Sequence, residues 1–180
     1  MSDSEAADAL RFWFEEHPGD WFVKNAAFDD ALRTRYQPLH EAAAAGLRVH
    51  WADDARSCLA LVIVLDQFPR NMYRGQARAF ATDSLARAAA RVILARSWDK
   101  AMTQSEKLFA YLPFEHSESL ADQDLSVELM KDFDEEQRRY ARRHREIIER
   151  FGRFPHRNGA LGRESTAAEI EFLKLPGSGF

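Results

Sequence analysis

The chain of 180 residues has a single cysteine, Cys58, and its longest apolar run is the eight residues that end at Leu65. One cysteine cannot form an internal disulfide, and it excludes zinc sites built from several cysteines. Eight apolar residues are too few for a membrane span, which needs about 20. The acidic start of the chain lacks the basic and apolar segments of a secretory signal. We therefore predict a cytoplasmic protein, a buried thiol and no membrane partner.

Several catalytic and metal-binding motifs are also absent. The sequence has no Glu-x-x-His pair and no His-Glu-x-x-His segment, which argues against di-metal helical bundles and zinc helices. It also lacks a glycine-rich phosphate loop and a Gly-x-Ser-x-Gly nucleophile elbow. Glu115, His116, His144 and His156 could hold one metal if they converged, but adjacent ligands point in different directions on a regular backbone. We predict neither a metal site nor a cofactor.

Helical periodicity dominates what is present. With 46% hydrophobic residues, the chain can bury a core as one domain, 1–180, with 175–180 as a frayed tail. The run Leu59–Leu65 could be a strand by composition, but no partner strand is evident, so we predict a central apolar helix in an all-α fold of antiparallel helix pairs. The predicted helices run from Ser4 or Asp8 to about 17, about 26–45, from Asp53 or Asp54 to the Phe-Pro step at 68–69, 82–96, 103–112, 120–131, 135–151 and from Thr166 with Ile170 and Leu173 inward.

Two segments, 66–71 and 152–158, share a Phe-Pro step followed by arginine and asparagine. A proline after an apolar run ends a helix and asparagine favours the next helix cap, so both segments are predicted to be polar corners. A third predicted helix end, at Pro113, precedes Glu115 and His116. We predict a polar site where the two Phe-Pro corners meet. The candidate residues at the three corners are Asp66, Gln67, Arg70, Asn71, Glu115, His116, Arg153, His156, Arg157 and Asn158.

His144 lies in the apolar stripe of the predicted helix 135–151. A lone histidine in such a stripe is typical of a hydrogen-bonded core residue. The alternative is a catalytic role, because Glu115, His156 and Arg157 could supply a carboxylate, a second imidazole and an anion clamp for acid/base chemistry. The sequence leaves both interpretations open.

Charge is divided sharply along the chain. Residues 115–136 hold nine acidic side chains and Lys131, whereas 137–163 hold nine arginines and two glutamates. Two facing helices that neutralise each other are the simplest interpretation, and an anion site built from guanidinium groups is the alternative. The acidic block should screen the arginines, so we predict no nucleic-acid partner.

Longer motifs occupy 65–75, 79–83, 112–118, 121–123 and 144–165. Together with Phe12-Trp13-Phe14 and Trp51, they resemble the family called domain of unknown function 924 over nearly the whole chain. The resemblance implies a tetratricopeptide-like array of helix pairs and no established activity. It matches the corner residues above and His144, and it adds Arg74 and Arg163.

Two functional hypotheses follow from these observations. In the first, the polar motifs form a pocket lined by Arg70, Arg157 and Arg163 for a small anionic or polar ligand, with acid/base turnover by His144, His156 or Glu115 as a further option. In the second, the helical array is a scaffold for a protein or peptide partner, and the polar corners only brace it. The placement of the polar motifs at predicted helix ends favours the pocket.

Overall fold

A computed structural model describes residues 4–179. All regular secondary structure in this range is helical, which confirms the predicted all-α class. Residues 1–3 and Phe180 lie outside the description, so the predicted acidic start and the predicted tail 175–180 are described only in part. The α-helices of the described range are α1 (Ser4–Arg11), α2 (Ala26–Ala44), α3 (Ala55–Met72), α4 (Asp83–Ala95), α5 (Gln104–Glu115), α6 (Leu120–Leu129), α7 (Glu135–Phe151) and α8 (Ala167–Leu173).

Short helical turns join the longer helices. A π-helical turn, Phe12–Glu16, continues α1, and 3-10 turns cover Val49–Asp53, Ala77–Phe80, Trp98–Ala101 and Pro155–Arg157. Across the described range, no helix combines the length and the hydropathy that a bilayer span requires.

The helices belong to two structural units. Unit 1 comprises residues 4–74 and 78–113, and unit 2 comprises residues 75–77 and 114–179. The first ten residues of α5 therefore belong to unit 1, and its last two residues, Phe114 and Glu115, belong to unit 2.

Helix α3 is the centre of unit 1. Asp54 begins it as N-cap, because its carboxylate accepts the backbone N–H groups of Arg56 and Ser57 at 3.0 and 3.1 Å. Nearly every residue of α3 after its first turn is buried, and α3 packs against α1, α2 and α4. Since a helix that is apolar on all sides must be enclosed by other elements, the predicted central apolar helix is confirmed.

Pro69 does not end α3, so the prediction of a corner at 66–71 is wrong. The helix continues through Pro69 to Met72. Proline lacks the N–H that would bond the carbonyl of Leu65 one turn earlier. The hydroxyl of Thr82 donates to that carbonyl instead, at 2.5 Å, and so replaces the missing bond. Pro113 likewise lies inside α5, two residues before its end.

Helix α7 organises unit 2 and has the predicted bounds. Asp134 caps its start, and Gly152 follows its end with a φ of 69°, a conformation that glycine adopts without strain. Helix α6 packs against α7. The segment 152–158 is therefore a corner, as predicted, although Gly152 rather than Pro155 ends the helix.

Helix α8 begins with a capping box, as predicted. The hydroxyl of Thr166 accepts the N–H of Glu169 at 3.2 Å, and the Glu169 carboxylate accepts the N–H of Thr166 at 2.7 Å. The predicted inward positions are wrong, because Ile170 and Leu173 are 47% and 36% exposed. Glu169 is buried instead, because Arg153 pairs with its carboxylate.

Candidate functional site

The polar residues of the first Phe-Pro motif lie in the last two turns of α3, within unit 1. Arg74 follows the helix and donates to both carboxylate oxygens of Asp29 on α2, at 2.5 and 2.9 Å. It also donates to the side-chain oxygen of Asn71, whose own amide donates to the carbonyl of Gln67 at 3.1 Å. These bonds connect the end of α3 to α2, so they explain Asn71 and Arg74 as structural residues.

Arg70 links α3 to α4. Its Nη1 atom lies 3.2 Å from Oδ1 of Asp66 and 3.0 Å from Oδ1 of Asp83, the first residue of α4. Gln67 donates its amide to the second oxygen of Asp66, which is fully buried. Asp29 and Asp83 were not among the sequence candidates, because nothing in a linear sequence indicates which distant carboxylate an arginine will pair with.

The second Phe-Pro motif is held by an arginine clamp within unit 2. Arg163 donates to both carboxylate oxygens of Glu118, at 2.7 and 2.9 Å, to Oδ1 of Asn158 at 2.9 Å and to the carbonyl of Phe154 at 3.2 Å. Glu118 also accepts the N–H of Phe154 at 2.8 Å. The clamp fixes the backbone on both sides of Pro155, so Arg163 and Asn158 position the corner.

Arg153 fastens the same corner to α8. It donates to the two carboxylate oxygens of Glu169 at 2.7 and 2.8 Å and to the carbonyl of Glu164 at 2.8 Å. The hydrogen bonds from Arg153 and from the backbone of Thr166 lower the pKa of Glu169 to about 2. Arg153 therefore connects the corner 152–158 to α8.

His144 and its neighbours form the remaining polar group, which we call the His144 site: Glu115, His116, His144, His156 and Arg157. All five residues belong to unit 2. The Nδ1 atom of His144 lies 2.8 Å from the carbonyl oxygen of Tyr140 and 3.3 Å from Oε1 of Glu115. His144, Glu115 and Arg157 are buried, whereas His116 and His156 are partly exposed and give the site its access to solvent.

The His144 imidazole is neutral at ordinary pH. Burial lowers its pKa to about 3, and Arg157 acts in the same direction, as do His116 and His156 when they are protonated. The hydrogen bond between Nδ1 and the Tyr140 carbonyl opposes this shift, but burial is the larger cause and decides the direction. Because Nδ1 faces two oxygen acceptors, it carries the proton, and Nε2 keeps the lone pair of a proton acceptor.

His156 has a similar environment. Burial lowers its pKa to about 4, and the neighbouring Arg157 acts in the same direction, while Glu118 opposes the shift. Two neutral imidazoles therefore lie near one buried guanidinium. Both pKa values are lowered, so protonation of either histidine is unfavourable, and a negative charge placed beside the rings would favour the protonated forms.

Phe154 holds the members of the site together. Its ring lies edge-on to His144 with centroids 5.6 Å apart, and the His156 ring lies at the same centroid distance. The Arg157 guanidinium stands 4.5 Å from the centre of the Phe154 ring, a cation–π distance. The repeated Phe-Pro step marks Phe154 in the sequence, but nothing in that motif predicts the contacts of its ring.

The loop after α5 fixes the backbone of Glu115 and His116. The buried Gln123 side chain donates to the carbonyls of Glu115 and Ser117, both at 2.7 Å, and so caps the end of α5. Ser117 in turn donates to Asp122 at 2.8 Å. The Glu115 carboxylate is thereby placed on a rigid element, as a site residue requires.

Among residues 4–179, no three His, Cys, Asp or Glu side chains are arranged to hold an ion. The predicted site residues form two groups, one at the end of α3 in unit 1 and one around the corner 152–158 in unit 2. Within unit 2 the structure brings Glu115, His144 and Arg157 together from three separate parts of the sequence.

Comparison with known proteins gives the relationship but not the activity. The structure of the protein of unknown function ATU0120 from Agrobacterium tumefaciens is similar, with a TM-score of 0.91 and 44% identity over 94% of this chain and 97% of that one. No curated protein matches the sequence. The pattern of the bacterial proteins of unknown function called DUF924 matches residues 9–177. The chain therefore belongs to the DUF924 family.

Proposed function

We propose that the His144 site binds a small anionic molecule and that His144 accepts a proton from it. The observation that carries the proposal is the position of the buried His144 Nδ1 between the Tyr140 carbonyl and the Glu115 carboxylate. A histidine that only fills a core needs one such partner. A second, acidic partner fixes the tautomer and stabilises the imidazolium that forms after proton transfer.

Charge supports an anion as the ligand. Arg157 supplies a permanent positive charge beside two imidazoles whose pKa values burial has lowered. A carboxylate or phosphate placed among these groups would favour their protonated forms and would bond the guanidinium in bidentate fashion. The partly exposed His116 and His156 would contact it first, and the buried Arg157 would hold it.

Acid/base turnover is the second step of the proposal. A bound anion would raise the pKa of His144 from its lowered value, because its negative charge favours the imidazolium and offsets the repulsion from Arg157. A histidine with a pKa nearer neutrality is an effective general base. Nε2 then takes a proton from a hydroxyl or an acidic carbon of the ligand, and Glu115 stabilises the charged ring through Nδ1. We propose the cytoplasm as the compartment, in keeping with the buried thiol of Cys58.

A thermal-shift screen tests the binding step. Purified protein would be heated with a panel of small organic carboxylates and phosphate monoesters at about pH 6 and pH 8. At ligand concentrations near 100 times Kd, binding stabilises a protein by about 2.7 kcal/mol. We expect at least one compound to stabilise the parent, and to do so more strongly at the lower pH. The same compound should not stabilise the variants Arg157→Gln and His156→Asn. His156 lies at the rim of the site, so its substitution is the milder change.

His40→Asn is the matched control. His40 in unit 1 is also buried, and its Nδ1 also lies 3.0 Å from a backbone carbonyl, that of Val64. Among residues 4–179, no carboxylate lies at ion-pair distance from His40. The control should lose stability and keep the response to the compound. No response from the folded parent, or an equal response from His156→Asn, would contradict the proposal and favour the interpretation as a protein- or peptide-binding scaffold.

A further inference from the structure

A groove of about 460 Å³ lies along α7 in unit 2, Phe172 of α8 also lines it, and it includes no residue of the His144 site. Its α7 residues recur every three or four positions, so they form one stripe about 17 Å long on the helix surface. In the sequence, these α7 residues belong to the arginine-rich stretch 137–163. The lining residues are Arg139, Arg142, Arg143, Glu146, Ile147, Arg150, Phe151 and Phe172.

The groove has an apolar part and an aromatic edge. Phe151 and Phe172 lie with ring centroids 5.1 Å apart, and Ile147 lies one turn before Phe151 on α7. The Arg150 guanidinium stands 4.6 Å from the Phe151 ring centre and 5.9 Å from that of Phe172. A flat cation over two rings leaves its edge donors directed away from the rings, where an anion could accept from them.

The arginines of the groove are neutralised unequally. Arg142 is paired with Glu135 at 2.6 Å, and Arg143 donates to the carbonyl of Pro176 at 3.2 Å. Within the described chain, Arg139 and Arg150 have aromatic partners and no carboxylate at ion-pair distance. The groove therefore presents the charges of four arginines and one glutamate, Glu146, next to the partly exposed rings of Phe151 and Phe172.

We propose that this groove is a second binding site, for a small amphipathic carboxylate with one anionic group and an aromatic or branched aliphatic body. The volume lies within the range of ligand pockets, about 300–1,000 Å³. The apolar body would pack on Ile147, Phe151 and Phe172, and the carboxylate would accept hydrogen bonds from Arg139 or Arg150. Charge and apolar surface are both needed, so neither part of the ligand binds well alone.

The test uses three related probes and isothermal titration calorimetry on the full chain. The probe 2-naphthoate has both features, 2-naphthylmethanol has the ring system without the charge, and acetate has the charge without the rings. We expect 2-naphthoate to bind at least about tenfold more tightly than either of the other two, a difference of about 1.4 kcal/mol. Arg150→Gln and Phe172→Leu should each weaken 2-naphthoate by about fivefold or more.

Two control variants make the result specific. Arg138→Gln removes an arginine of the same helix that is paired with Glu135 and does not line the groove, and it should leave the affinity within about twofold. His144→Asn should also leave it unchanged, so this proposal can fail independently of the proposed function. Equal affinity for 2-naphthoate and 2-naphthylmethanol, or equal losses from Arg138→Gln and Arg150→Gln, would overturn the assignment.

Discussion

His144 and Glu115 meet inside unit 2, with Nδ1 of the imidazole 3.3 Å from Oε1 of the carboxylate and both residues 5% exposed. Twenty-nine positions separate them in the sequence, and the end of α5 and the middle of α7 supply them. Burial of a histidine beside a carboxylate is costly unless both groups are hydrogen-bonded. Here Nδ1 of His144 bonds the Tyr140 carbonyl, and Gln123 fixes the backbone of Glu115 by donating to its carbonyl.

The pH dependence of stability should report the buried histidines. The folded pKa of His144, about 3, is lower than the ordinary value of 6.5, so the unfolded chain binds more protons between these two values. The contribution of the neutral, buried His144 to the free energy of unfolding is therefore complete above about pH 6.5 and is lost as the pH falls toward about 3. The loss is at most about 1.4 kcal/mol per pH unit for each such histidine.

Urea unfolding between about pH 4 and pH 7 would measure this slope. The variant His144→Asn keeps an N–H donor in place of Nδ1 and cannot titrate, so its stability should fall less steeply with acid than that of the parent. Identical slopes for parent and variant would show that His144 does not have a lowered pKa.

The Arg163 clamp should carry more stability than an exposed ion pair. Arg163→Lys removes the bidentate contact with Glu118 and should cost about 2 kcal/mol in the free energy of unfolding. Arg145→Lys is the control, since Arg145 pairs with exposed partners on the surface of α6 and α7, and it should cost less than about 0.5 kcal/mol. Similar costs from chemical denaturation of the two variants would argue against a clamp.

The hydrogen bond from Thr82 to the Leu65 carbonyl should contribute more to stability when Pro69 is present than when it is replaced. Thr82→Val leaves that buried carbonyl without its donor and should cost about 2 kcal/mol. In a Pro69→Ala background, the new N–H can bond the carbonyl, so the same change at Thr82 should cost less than about 1 kcal/mol. A double-mutant cycle in urea measures the difference, and additive costs would rule out the compensation.

Cys58 should be unreactive in the native protein. Its side chain is fully buried on α3, and burial raises the thiol pKa to about 12, so the reactive thiolate is scarce. Iodoacetamide should modify it only after denaturation. Val49→Cys, at a position that is 73% exposed, provides the reactive comparison. Modification of native Cys58 at a rate near that of the introduced cysteine would contradict the burial.

The sequence predicted the helices better than the contacts between them. Periodicity and caps gave α7 its bounds, and the Thr166–Glu169 capping box placed the start of α8. The predicted helix end at Pro69 is wrong for a tertiary reason. A proline near a helix end removes one hydrogen bond, and whether a side chain such as Thr82 replaces that bond depends on the tertiary fold. Hydropathy alone predicts that Ile170 faces inward. The ion pair between Arg153 and Glu169 buries Glu169 instead, and hydropathy contains no information about such a pair.

The residue types of the candidate site could be predicted from the sequence, but their grouping in space could not. The two Phe-Pro motifs look alike, yet Arg70 is bound within α3 and α4 of unit 1, whereas Arg157 stacks on Phe154 beside His144 in unit 2. Long-range partners such as Asp83 and Glu118 are set by packing, and no local pattern marks them. The predicted pocket that includes both Arg70 and Arg157 stays a prediction.

Nitrogen-15 NMR of the histidine side chains during a titration with inorganic phosphate tests the His144 site most directly. We predict that free His144 is neutral near pH 6.5 with its proton on Nδ1, and that phosphate shifts the ring signals of His144 and His156 toward the protonated form. The same titration of His40 should show no change. A proton on Nε2 of His144, or ring signals that stay constant up to millimolar phosphate and other small anions, would contradict the assignment of this site.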